Sequence, residues 1–220
     1  MDGNGRWAKK RLLPRKAGHR QGVKALERVV AACEKRGVEM VTFYAFSTEN
    51  WARPQDEIDA LFAMVAEFAD TRLKEYVQRG LRILFIGDLT PLPQKTREAC
   101  ARIVEAAKDN KGMIVCIALN YGGRDEIVRA VRTLLQSGLK DVDAETLSDC
   151  MYTGGLPDPD VIVRSSGEKR LSNFMLWQAA YSEFVFRDEL WPDFDEKIID
   201  AVLEEYASRD RRYGSVKRLN

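Results

Sequence analysis

Four short apolar runs recur along the chain, at residues 40–46, 81–86, 113–119 and 161–163. Each is rich in β-branched or aromatic side chains and is bounded by Gly, Asn or Ser. Their apolar positions are near-continuous rather than alternating. That pattern predicts strands covered on both faces, hence a parallel sheet. Between the runs the period changes. Val23, Leu26, Val29 and Val30 share one face of a helix that stops near Gly37. Ile103 and Val104 mark a second helix within residues 92–107. Ile127, Val128, Val131, Leu134 and Leu135 mark a third, ending at Gly138, and a last helix is expected over residues 196–206. Strand and helix in alternation predict an α/β fold with a mostly parallel central sheet flanked by helices. No internal repeat, low-complexity tract or Pro/Gly-rich linker divides the sequence, so residues 1–220 are expected to form a single domain.

Residues 58–77 follow another rule. Ile58, Ala60, Leu61, Phe62, Ala63, Met64, Val65, Ala66, Phe68 and Ala69 leave little polar face in the first half. A helix apolar nearly all round has to be covered on two sides. Composition favours a core or dimer-interface helix. The alternative is a helix packed on the sheet whose other face lines an apolar cavity.

Ligands of an open parallel sheet bind at the carboxyl ends of its strands. The first run leads into Ser47, Glu49, Asn50, Trp51 and Arg53, and the second into Gly87 and Asp88. The third leads into Asn120, Gly122, Gly123 and Arg124, and the fourth into Arg164, Ser165, Ser166, Gly167, Lys169 and Arg170. Polar loops bearing Gly and Arg on one edge of the sheet point to an anionic ligand.

Composition narrows the classes. The formal net charge of +1 provides no global basic field for nucleic acid, so an anion site has to be local. Hydrophobic residues at 45% and charged residues at 31% support a packed core rather than disorder. None of the four cysteines lies in a C-x-x-C pair, which argues for buried reduced thiols in a cytosolic protein rather than zinc or disulfides. No apolar run reaches the length of a membrane span, and the N-terminal residues resemble neither a signal peptide nor an amphipathic anchor. A soluble, cytoplasmic protein is expected, with transient contact at the inner membrane face if its product is a lipid.

Four segments carry chemistry. Gly3 and Gly5 in Asp2-Gly3-Asn4-Gly5-Arg6 allow backbone N–H groups to approach a ligand, and Arg6 can pair with phosphate oxygens. Asp2 among anion donors makes sense as a Mg²⁺ ligand; otherwise the segment is a surface turn. The basic run that follows, through Arg15 and Lys16, reads as a solvated face, and His19, the only histidine, as a structural residue. Residues 164–170 supply many phosphate donors, or form an ordinary charged loop. Glu183 lies in an aromatic run, where a carboxylate needs a partner or a metal unless it faces solvent on an edge strand.

Ordered blocks with these spacings resemble the cis-prenyltransferases of the undecaprenyl diphosphate synthase type. Residues 1–8 with Leu13-Pro14-Arg15 and Gly18-His19 are similar to the family's first signature. Ser47-Thr48-Glu49-Asn50-Trp51-Ala52-Arg53-Pro54 matches a second block. Gly87-Asp88 with Leu92-Pro93, and residues 120–124, match two more. Residues 158–160 leading into 164–174, then 180–183 and Leu190-Trp191-Pro192, complete the set, and the resemblance runs to about Gly214. Ser165 stands where the family often has Thr, which keeps the hydroxyl.

The resemblance implies a Mg²⁺-dependent homodimer that condenses isopentenyl diphosphate onto an allylic diphosphate such as farnesyl diphosphate. The product would be a long polyprenyl diphosphate such as undecaprenyl diphosphate, the lipid carrier precursor for cell-wall synthesis. It implies that Asp2 binds Mg²⁺ and helps the allylic diphosphate leave. It makes Gly3, Asn4, Gly5, Arg6 and Arg15 the allylic diphosphate cradle, with His19 a functional residue beside it. Trp7, Ser47, Glu49, Asn50, Trp51 and Arg53 would order the substrates, Asn50 also assisting proton removal. Arg164, Arg170 and Ser172 would form the isopentenyl diphosphate site, and Glu183 a second Mg²⁺ contact across a dimer. An apolar tunnel walled by residues 58–77 would take the growing chain. The family carries a strand immediately before the Met-Asp-Gly-Asn block, and no residue precedes Met1 here. Asp2 is therefore expected either on a frayed terminus or behind a strand upstream of Met1. The competing expectation is a non-catalytic partner subunit of the same fold that binds isoprenoid diphosphates.

Overall fold

A computed structural model describes residues 1–139 and 141–209; the end of the resemblance, up to Gly214, therefore lies outside the described residues. Two helices open the chain, α1 (Asn4–Lys10) and α2 (Arg15–Lys35). Strand β1 (Met40–Ser47) follows, then a 3-10 turn (Thr48–Ala52), α3 (Gln55–Thr71) and α4 (Leu73–Gln78). Next come β2 (Arg82–Ile86), α5 (Gln94–Ala107), β3 (Ile114–Tyr121), α6 (Gly123–Ser137) and α7 (Ala144–Asp149). The chain continues with β4 (Val161–Arg164), β5 (Glu183–Phe186) and α8 (Glu196–Ser208).

The apolar runs at 40–46, 81–86, 113–119 and 161–163 all form strands, within two residues of the expected bounds at either end. They do not join one sheet among the described residues. β1, β3 and β2 make a three-stranded parallel sheet in that order, while β4 pairs in parallel with β5 in a sheet of its own. Central β3 aligns Val115 with both Val41 and Ile83, so apolar side chains stack across the sheet. The β1–β3 register slips between Tyr44 and Phe46 and again before Ser47. A bulge bends the strand that carries it, here at the end that enters the site.

The stretch at 58–77 is not one helix. It breaks at Arg72, whose guanidinium pairs with Glu27 of α2 at 3.0 Å. The remaining expectation for it splits cleanly. Ile58, Phe62, Ala66 and Ala69 are buried in the core, which α5 helps to form. Leu61, Met64, Val65 and Phe68, at i, i+3, i+4 and i+7, line a cavity instead. The helix is apolar nearly all round because both of its covered faces are in use.

Candidate active site

One cavity of about 640 Å³ runs from the carboxyl end of β1 into the space between α2, α3 and the three-stranded sheet. Its depth is walled by Val65 and Phe68 of α3, Phe85 of β2 and Ile117 of β3, with Tyr76 and Ile103 beyond them. Its mouth is polar. Asp2, Gly3, Asn4, Gly5, Arg15, His19, Ser47, Glu49, Asn50, Arg53, Arg164, Arg170 and Ser172 all reach it.

Asp2 is placed by its own backbone. Its carbonyl accepts hydrogen bonds from the Ser166 hydroxyl at 2.8 Å and the Trp191 N–H at 2.9 Å, and its N–H donates to Ser165 Oγ at 2.9 Å. A frayed terminus is thus not what the structure shows. These serines belong to the loop after β4, so that loop and the first segment are one unit. Gly3 follows at φ +103°, where a Cβ would meet Ser166 Oγ at 2.3 Å. The second close approach is at Gly18 of α2. A Cβ there would lie 2.1 Å from the Asn4 carbonyl oxygen, so glycine lets α1 lie against α2.

The Asp2 carboxylate accepts from Gly3 N–H at 2.7 Å and from Arg164 Nη2 at 3.3 Å. The same Arg164 nitrogen donates to Ser172 Oγ at 3.2 Å, which ties the first segment to the loop after β4. Glu168 accepts from Arg6 at 2.9 Å and also pairs with Arg170. On the opposite rim, Asn50 Oδ1 accepts from Ser47 N–H at 3.2 Å, closing the turn after β1. Burial works against the Glu49 carboxylate, yet hydrogen bonds from Asn173 and from the 47–49 turn outweigh it and hold its pKa below the ordinary value.

Four expected site residues stand elsewhere. Arg6 points to Ser166 and Glu168 beside the mouth rather than into the cavity lining. Trp7 Nε1–H donates to Asp193 at 2.7 Å, and its ring lies under Arg11. Trp51 Nε1–H donates to Asn120 Oδ1 at 2.8 Å, with its ring edge-on to Phe46. Trp51 therefore braces the turn that carries Asn50. Glu183, on β5, accepts from Arg209 at 2.7 Å and is not among the residues lining the cavity with Asp2.

Two residues of the site escaped the sequence reading. Asn173, at φ +63°, lines the mouth and donates to Glu49 Oε1 at 2.9 Å. It lies next to Ser172 in a quoted block, so position alone could have flagged it. Glu57 is buried in the first turn of α3 and takes His19, Arg53 and Arg15 on one oxygen. An acidic residue in a first helical turn is ordinary compensation of the helix dipole, so the sequence offered no signal there.

The family described as "Putative undecaprenyl diphosphate synthase" matches residues 1–214. The chain belongs to this family. An isoprenyl transferase of Clostridium perfringens is 48% identical over 99% of this chain and 88% of its own length. One from Streptococcus mutans is 49% identical, covering 98% and 91%. Among solved structures, lavandulyl diphosphate synthase from Lavandula x intermedia, in complex with dimethylallyl diphosphate, superposes with a TM-score of 0.94. It is 33% identical, with 98% of this chain and 95% of that chain covered. The prenyltransferase family therefore accounts for a site with a charged mouth and a hydrocarbon-lined depth.

The donor set can be tested against Mg²⁺. No group of three His, Cys, Asp or Glu side chains forms a cation cage among the described residues. Asp2 offers one part-exposed carboxylate beside phosphate donors. Mg²⁺ characteristically takes one or two carboxylates and completes its shell with substrate phosphates and water, so Asp2 fits it.

Proposed function

We propose that the chain catalyses cis-prenyl elongation, joining isopentenyl diphosphate to an allylic diphosphate, with farnesyl diphosphate as primer and a long polyprenyl diphosphate as product. The observation that carries the reading is the single cavity whose mouth gathers Asp2, Arg15, His19, Arg53, Arg164 and Arg170 above walls of Leu61, Val65, Phe68 and Ile117. Two diphosphates need two sets of cationic donors, and an isoprenoid tail needs an apolar space.

In this reading the allylic C–O bond breaks, and its electron pair leaves with the diphosphate. The terminal alkene carbon of isopentenyl diphosphate, C4, bonds to the allylic carbon, and a proton is lost from C2, whose electron pair forms the new C2=C3 double bond. Mg²⁺, held by Asp2 and the substrate phosphates, would supply charge neutralisation on the leaving group. Backbone N–H groups of Asn4 and Gly5, with Arg15, hold the allylic diphosphate in the space that Gly3 leaves open, while Arg164, Arg170 and Ser172 hold the second. Fixing both turns a bimolecular attack into a local one. A carboxamide is too weakly basic to keep a proton, so Asn50 orients the reacting carbon and the released diphosphate takes the proton. Phe85, Ile117 and the cavity face of α3 exclude water from the carbocation-like centre and receive the lengthening tail.

Glu183 is assigned a second Mg²⁺ contact, made across a homodimer. Support for dimerisation is an exposed apolar stripe on α6, where Val128, Val131 and Leu135 are 48%, 41% and 73% exposed. No helix among the described residues is long and apolar enough to cross a membrane. We also propose a cytoplasmic enzyme that meets the inner membrane face through its lipid product.

The test is turnover with farnesyl diphosphate, labelled isopentenyl diphosphate and Mg²⁺, with extracted products sized by chromatography. A polyprenyl ladder that disappears with chelator is the expected result. Tight binding of both diphosphates without consumption would replace the reading with the non-catalytic partner subunit.

A further inference from the structure

One acidic side chain organises the allylic side of the mouth. Glu57 is only 7% exposed, and its Oε1 lies 3.1 Å from His19 Nε2, 3.1 Å from Arg53 Nη1 and 3.3 Å from Arg15 Nε. The three partners come from two places in the sequence. Arg15 and His19 lie on α2, and Arg53 precedes α3. All three line the cavity. The contacts are unequal. His19 and Arg53 make hydrogen bonds to Glu57, whereas Arg15 meets it as a charge pair and keeps 58% of its side chain exposed. A buried carboxylate facing three donors is costly to remove water from unless it fixes those donors.

We propose that Glu57 is a positioning residue for the allylic diphosphate, locking His19 and Arg53 in place while leaving Arg15 free to swing onto the phosphate. The inference rests on the diphosphate-binding reading of the mouth. It follows from geometry. His19 is 7% exposed and the Arg53 side chain 33% exposed, and both donate to Glu57 or share a proton with it, so without the carboxylate each would need a new partner. Arg15 is tethered only by charge, so an arriving diphosphate can take it over without breaking a hydrogen bond. Electrostatics alone predicts the opposite effect of removing Glu57. Arg15 and Arg53 relieved of a competing anion would bind diphosphate more tightly. The two accounts differ in sign, which makes them separable.

The experiment compares wild type with Glu57→Gln in untagged protein. Three quantities are read: steady-state kinetics with farnesyl and isopentenyl diphosphate, calorimetric affinity for inorganic pyrophosphate, and NMR titration of His19. His19 is the only histidine, so its imidazole signals need no assignment. It is faced by Glu57, Arg53 and Arg15. Positioning predicts a rise of about tenfold in KM for the allylic substrate and a matching loss of pyrophosphate affinity. It also predicts a further fall in the His19 pKa, because the Glu57 contributions that raise it are gone. Unchanged or tighter pyrophosphate binding in Glu57→Gln would overturn the proposal. A wild type that does not turn over would sink the enzymatic reading, whereas an active wild type matched by an equally active Glu57→Gln would sink this inference alone. Should Glu57→Gln fail to fold, Glu57→Asp keeps the charge but withdraws it by one methylene. A raised KM in that folded variant supports positioning, and an unchanged KM refutes it.

Discussion

At the mouth of the cavity, nitrogen groups arrive already paired: Arg164 with Asp2, Arg170 with Glu168, and His19, Arg53 and Arg15 with Glu57. In its depth, Leu61, Val65 and Phe68 of α3 face Phe85 and Ile117 of the sheet. The mouth is held by specific polar contacts, the depth by shape and apolar area. Loss of one atom at the mouth should cost rate or affinity, while loss of one side chain in the depth should cost stability or alter which product fits.

The sharpest break is Asp2→Ala. Turnover should fall by about three orders of magnitude, as when a group that stabilises developing charge is removed. Because Asp2 is anchored through backbone groups, thermal unfolding should change little, and calorimetry checks that half. Next is Ile58→Ala, on the core face of α3, which should destabilise by about 2–5 kcal/mol in urea unfolding. Its neighbour Leu61→Ala, on the cavity face, should cost less than half of that and lengthen the product ladder instead. If both cost the same, the two-faced account of α3 fails. Arg164→Lys should raise KM for isopentenyl diphosphate about tenfold, because one Arg164 nitrogen already serves Asp2 and Ser172 and a lysine has no second nitrogen to offer a phosphate.

The smallest effect concerns pH. Burial lowers the His19 pKa below its ordinary 6.5, against an opposing pull from Glu57. The unfolded chain therefore binds the proton more readily, and stability from this group is complete above pH 6.5 and declines as pH falls toward the folded pKa. The slope should not exceed about 1.4 kcal/mol per pH unit, measured by denaturant midpoints in wild type and His19→Gln.

Much of the architecture was legible because buried strands write themselves as apolar runs and helices as a 3.6-residue stripe. The separation of β4 and β5 from the larger sheet was not, since an apolar run records burial but not its partner. The break at Arg72 was equally hidden. Leu73, Tyr76 and Val77 continue the helical apolar pattern, and Arg72 pairs with Glu27, which is 45 residues away. Motif resemblance named most residues of the mouth, but not the direction of their side chains. Trp7 and Trp51 turn to Asp193 and Asn120, partners that no local pattern announces.

The clamp on Asp2 also has a consequence for biosynthesis. Its carbonyl waits for Ser166 and for the N–H of Trp191, so the Asp2 segment cannot adopt its working place until residues more than 160 positions later are available. At roughly 5–20 residues per second, the growing chain spends on the order of ten seconds or more with that segment unplaced. Contacts of such long span are the slow ones to close, so catalytic competence should appear after the helices and the three-stranded sheet have formed.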